Sequence, residues 1–333
     1  MKPFHPTRRT ALLSVLAAAA PLGALPLGGA LAAYPDRPVR WIVGAPPGGG
    51  TDTVARVVAQ ALSARLGQPI VIENRPGAST TIGADAAAKA APDGLTLATV
   101  DNGTVIFVPV LYRRLPFDPD KDFRPVGLMA RVPQVLAVGP QSSIRTAKEL
   151  VERAKAAPGK IDYASPGIGS PHHLTMERLC RTVGIQLNHV PYRGSAPALN
   201  DVIAGQVEVA VVDTAAGGEY LRSGRVRPLA TCQAERLPDL ANVPTVNEAL
   251  ELSGFDVFSF QALVVPRATP DAIVQRLSDE LQAVLKDEAV RARMAAIGIQ
   301  PLGGGPEDYD RAVREDREIW VPLIRSLGIT LEL

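Results

Sequence analysis

From residue 39 onward, short apolar runs alternate with longer stretches whose apolar residues recur every three to four positions. Strands read at 39–43, 70–72, 95–100, 161–164, 187–190 and 207–212. Helices read at 54–66, 77–91, 147–157, 170–182 and 196–204, and three amphipathic helices follow at 270–285, 288–296 and 306–327. The period near 3.6 places Val54, Val57, Val58, Ala61, Leu62 and Leu66 on one helix face, with Gly67 as its stop. Strands that are apolar throughout are covered on both faces, and helices of about a dozen residues between them serve as crossovers. The expected class is α/β, with mostly parallel sheets flanked by helices. With 333 residues, the chain has length for roughly two such units at about 150 residues each.

The first 33 residues follow a different logic. Lys2, Arg8 and Arg9 precede an Ala/Leu-rich run, and Ala30-Leu31-Ala32 offers small residues at a cleavage spacing, the layout of an export signal over residues 1–32. Pro21 and Pro26 interrupt the apolar run, and no later segment reaches the roughly 18 apolar residues that span a bilayer. Thr7-Arg8-Arg9-Thr10-Ala11 leaves a twin-arginine and an ordinary Sec route both open. No cysteine follows the cleavage site, so no lipid anchor is indicated. The full chain has 35 basic and 34 acidic residues, and the exported protein keeps 32 against 34. Such a balance gives no electrostatic basis for binding nucleic acid.

Three Gly/Ser/Thr-rich loops sit at carboxyl ends of strands, the edge where open α/β sheets bind ligands. The first holds Pro47, Gly48, Gly49, Thr51 and Asp52 ahead of a helix whose unpaired N–H groups suit an anion. The second runs from Ser165 through Gly169 to Ser170, again between a strand and a helix. The third carries Tyr192, Arg193 and Ser195, and Asp213 ends the 207–212 strand. Facing each other, these loops are suited to clamp a small anion, in particular a carboxylate. Gly48, Gly49 and Thr51 are the expected donors, Ser165, Gly169 and Ser170 the second set. Asp213 is an acceptor for a ligand hydroxyl or ammonium, and Arg193 is either a charge partner or solvated.

Other chemistries lack their residues. A phosphate loop needs Lys-Ser/Thr where Thr51-Asp52 stands, and the dinucleotide fingerprint needs Gly where Thr53 stands. There is no G-x-S-x-G elbow to make Ser170, His172 and His173 a hydrolase set. Cys180 and Cys232 sit in apolar contexts that favour buried thiols, and a disulfide between them stays open. His173 and Glu177, four apart on a helix, could face one cation but better suit a helix-surface pair or a hydrogen-bonded histidine. No cofactor is expected.

In order and spacing, Tyr34-Pro35-Asp36-Arg37-Pro38, Glu73-Asn74-Arg75-Pro76-Gly77-Ala78, Ala91-Pro92-Asp93-Gly94, Lys121-Asp122-Phe123, Tyr163-Ala164-Ser165, the 191–199 segment, Val243-Pro244-Thr245 and Gly303-Gly304 form a pattern. On these the chain resembles the Bug family, the periplasmic solute-binding receptors of tripartite tricarboxylate transporters. The resemblance implies a monomeric, two-lobed receptor without catalysis that closes on a small carboxylate and delivers it to membrane permease subunits. A sensor feeding a signalling partner, or an exported enzyme, are the alternative classes. It also implies lobes joined by crossing strands near 126–138 and 226–230. One lobe then combines 33–131 with 229–333, and the other is 132–228. The 47–52 loop is the implied carboxylate holder, faced by 165–170 and Asp213. Two departures stand out. Gly44-Ala45 replaces a usual Pro-aromatic pair, removing a flat wall that another side chain such as Phe260 could replace, and Val108 stands where the family often carries Asn.

Overall fold

The structure, a computed structural model, describes residues 34–332; the export signal expected at 1–32 lies outside the described residues. Among the described residues ten strands are formed: β1 Val39–Val43, β2 Ile70–Asn74, β3 Thr96–Asp101, β4 Phe123–Val138, β5 Asp162–Ser165, β6 Asn188–Pro191, β7 Val209–Asp213, β8 Arg227–Thr231, β9 Phe258–Pro266 and β10 Gln300–Pro301. Their order is β2-β1-β3-β9-β4-β7-β5-β6, with β8 and β10 also on β4. The βα repeats pair in parallel, β1 with β2 and β3, and β5 with β6 and β7. The long strands add antiparallel pairing that the apolar runs alone do not disclose. Over residues 123–133, β4 pairs with β9; over 134–138 it pairs with β7 and β8. One continuous strand thus serves two α/β halves, because its 16 residues exceed what either half can pair.

Helices cover the sheets where the apolar spacing places them, at Gly50–Leu66, Ala147–Ala156, Pro171–Val183, Ser195–Ile203, Asp271–Lys286, Glu288–Ala296 and Pro306–Leu327. The first begins four residues before the expected 54, since Gly49 takes the extended N-cap conformation. It ends on Gly67, whose positive φ lets its N–H reach the carbonyl of Ser63. Trp41 is fully buried, and its indole N–H donates to Thr99 Oγ1 at 2.8 Å, which removes the cost of an unpaired polar atom in the core. Phe107 meets Trp320 edge-on at 5.1 Å, fastening the last helix over the first half. Each fully buried side chain of this size contributes about 1.5–3 kcal/mol. Cys180 and Cys232 are buried, unpaired thiols whose pKa burial pushes up to about 12, so both stay protonated. No helix among the described residues is long and apolar enough to cross a membrane.

Candidate functional site

The loop after β1 is shaped by Asp52. Its carboxylate accepts the Gly48 N–H at 2.9 Å, the Arg56 Nε–H at 2.8 Å and the Asn74 amide at 2.8 Å. Burial pushes this carboxyl up, and the Arg56, Gly48 and Asn74 hydrogen bonds outweigh it, so its pKa lies below the usual range. Asp52 thus stands inside the first turn, not at its N-cap, and holds a loop in which Gly48 has φ 79°. Pro47 and Gly48 are exposed, and Thr51 is half-buried with the Gln261 amide 3.4 Å from its hydroxyl.

The second loop is held from behind by a stack of rings. His173 and His189 lie 4.1 Å apart, with Tyr163 4.8 Å from His189. His173 Nδ1 accepts the Gly169 N–H at 3.1 Å, and His189 Nε2 meets the Ser165 hydroxyl at 2.6 Å. Burial drives these imidazoles down, His173 to about 3 and His189 to about 4, which keeps Nδ1 of His173 an acceptor. Ser165 Oγ also takes the Gly167 N–H, and Ser170 caps the next helix by accepting the His173 N–H. Glu177 accepts the Tyr163 hydroxyl at 2.5 Å, and His173 Nδ1 is taken by the Gly169 N–H. The third loop is tied to the second, Tyr192 N–H to Ser165 O and Gly194 N–H to Pro166 O, with Arg193 exposed at its tip.

Asp213 does two jobs. Oδ1 caps the helix Thr214–Arg222 through the Ala216 N–H at 2.7 Å, and Oδ2 lies 2.9 Å from His172 Nε2. A methyl placed on Gly50 would meet Asp213 Oδ1 at 2.7 Å, so the first loop and the end of β7 touch. The loops at 47–52 and 165–170, and Asp213, therefore share one junction.

Reading motifs alone missed three contributors. Ala78, Ser79 and Thr80 occupy consecutive left-handed conformations, costing about 1–2 kcal/mol per residue. Ser79 spends that strain reaching across to the carbonyl of Ile168 at 2.8 Å. Thr80 lies 3.0 Å from where a Gly44 side chain would start, so it fills the space beside Gly44. Phe260 is in the core, edge-on to Tyr309, and Val108 is fully buried. The third contributor pairs Gln261 with Asp101 across β9 and β3. Asp101 accepts the Thr104 N–H and hydroxyl, and burial holds its pKa above the usual value. Only the run of small and hydroxyl residues at 77–81 offered a signal; Gln261 had none.

The sequence model of the tripartite tricarboxylate transporter family receptor matches residues 54–329. Protein BugT of Bordetella pertussis is 34% identical over 90% of this chain and 92% of its own length. Among solved structures, R. palustris Rpa4515 with adipate superposes with a TM-score of 0.85 at 34% identity, covering 90% of this chain and all of that one. MatC from Rhodopseudomonas palustris with bound malate gives 0.81 at 33% identity, over 87% of this chain and all of that one. With its strand-end loops meeting at one junction and its fold shared with these receptors, the chain belongs to the Bug family of tripartite tricarboxylate transporter receptors.

Proposed function

We propose that this protein is a periplasmic receptor that captures a small carboxylated solute between two lobes, without catalysis, and presents it to a membrane permease. The observation that carries the reading is the junction itself. The start of a 17-residue helix meets the end of β7, Gly50 against Asp213, and the turn at 78–80 reaches the second loop through Ser79 on Ile168. Unpaired N–H groups of a helix start and a glycine loop suit a carboxylate, and the structures of two relatives carry adipate and malate. The lobes would be 33–131 with 229–333, and 132–228; the sharing of β4 between the two halves supports a hinge there. Pro47, Gly48, Gly49, Thr51, Asp52, Ser165, Gly169, Ser170, Arg193 and Asp213 line the proposed site. Of these, Asp52 and Ser165 act by holding backbone donors in place.

A thermal-shift panel of di- and tricarboxylates, acidic amino acids, aromatic acids and neutral solutes on the exported form tests this. A ligand at 100 times its Kd stabilises by about 2.7 kcal/mol. Melting temperatures that rise with neutral solutes and with no carboxylate would overturn the reading.

A further inference from the structure

Eight residues close a ring around the junction. The Gln261 amide reaches Thr51 Oγ1 at 3.4 Å, and Thr51 follows Gly50, which abuts Asp213 Oδ1. Asp213 Oδ2 meets His172 Nε2 at 2.9 Å. Pro171, next to His172, and Asp101 both crowd Gly103, at 3.4 and 3.0 Å from where its side chain would begin. Asp101 then faces Gln261 as its register partner, which puts both side chains on one face of the sheet and returns to the start. Two atoms in this ring are buried without any partner, Gln261 Oε1 and His172 Nδ1. Gln261 is 2% exposed, so water does not satisfy it from outside.

The chemistry of the two orphans agrees. With its Nε2–H given to Thr51, Gln261 leaves Thr51 as an acceptor there, so the Thr51 proton is free to point at an anion on the helix start. Gln261 Oε1 remains an acceptor beside it. His172 Nε2 is engaged by Asp213, which leaves Nδ1 as the nitrogen of the ring without a partner. A plain carboxylate brings no hydrogen to either atom. A carboxylate with a hydroxyl or an ammonium on the adjacent carbon brings an acceptor for Thr51 and a donor for Gln261 in one molecule.

We propose that Gln261, seconded by His172, makes the receptor selective for carboxylates bearing a neighbouring hydrogen-bond donor. This rests on the receptor reading above and deepens it by naming the ligand class. A site built to bond a hydroxyl or N–H rejects the analogue that lacks it, because its own buried atom then stays unpaired.

The test is titration calorimetry on the exported form with matched acids: propionate, lactate and alanine; succinate, malate and aspartate; glutarate, 2-hydroxyglutarate and glutamate. The expected result is at least a tenfold preference for a substituted member within one set, with the hydroxy and amino arms showing which donor is read. Gln261→Leu should erase that preference while still binding the unsubstituted acid, and His172→Phe should reduce it. Equal affinities within every set in the wild type overturn the proposal, whether or not the variants fold. So does a preference that survives Gln261→Leu. Binding of acids without discrimination sinks this inference alone, whereas no binding of any carboxylate sinks the receptor reading with it.

Discussion

Asp52 shows how a residue can matter to a site without touching a ligand. Its carboxylate is buried, and three donors from Gly48, Arg56 and Asn74 converge on it. Asp52→Ala leaves the Gly48 N–H and the Asn74 amide without their acceptor and frees the exposed Arg56. The expected loss is about 2–3 kcal/mol of unfolding free energy in a urea titration. Affinity for the carboxylate should fall with it, because Gly48 no longer has a fixed position. A change under about 0.5 kcal/mol would mean that the loop holds its shape without this carboxylate. The glycines of this loop could be read in the sequence, since a strand, glycines and an amphipathic stretch occur in succession. The role of Asp52 could not be, because its partner Asn74 arrives from the end of the next strand, 22 positions on.

At the scale of elements, the βα repeats were legible because each apolar run is local and each helix announces its own face. The departures have local causes as well. The helix Thr214–Arg222 went unread since Gly217 and Gly218 lie inside it and lower its intrinsic propensity. Gly217 is required there: a side chain would strike Val212 Cγ1 at 2.1 Å. The antiparallel β9 was unread for a different reason: the helix between β8 and β9, Val246–Leu250, has five residues, too few for apolar spacing to mark a crossover. The second loop depends on an element behind it, the His173–His189 stack, and this gives a pH response. Both imidazoles are held neutral in the fold, while in the unfolded chain they take up protons near pH 6.5. The unfolded state therefore binds more protons between about pH 6.5 and 4, and stability falls as pH falls through that window. The buried Asp316 carboxyl, raised to about 6, works in the opposite sense over the same range, so the comparison must be internal. His173→Asn keeps an acceptor for the Gly169 N–H and removes one titration. Its stability should fall less steeply than that of the wild type, by about 1 kcal/mol per pH unit near pH 5. Parallel pH profiles for the two proteins would show that the stack does not carry acid sensitivity.

For the whole molecule, what matters is that residues far apart in sequence have to arrive at one place together. Gln261 and Thr51 are separated by 210 positions and by most of the elements, and nothing local in either marks the pairing. Hinge closure is the event that would assemble such a site, and Gly50 is where closure can be blocked with least damage elsewhere. Its φ is not in the left-handed region, so alanine is tolerated by the backbone and favours the first turn of the helix. Asp213, however, is not free to yield: Ala216 and His172 hold its two oxygens, and Ala215 Cβ lies 3.4 Å from the added methyl. Gly50→Ala should therefore leave the unfolding midpoint without ligand unchanged or slightly raised, yet weaken carboxylate binding at least about tenfold, or about 1.4 kcal/mol. Small-angle scattering should show that saturating ligand compacts the wild type more than the variant. If Gly50→Ala binds and compacts like the wild type, the contact between the first loop and Asp213 is incidental to the proposed closure, which would then rest on the contact of Ser79 with Ile168 instead.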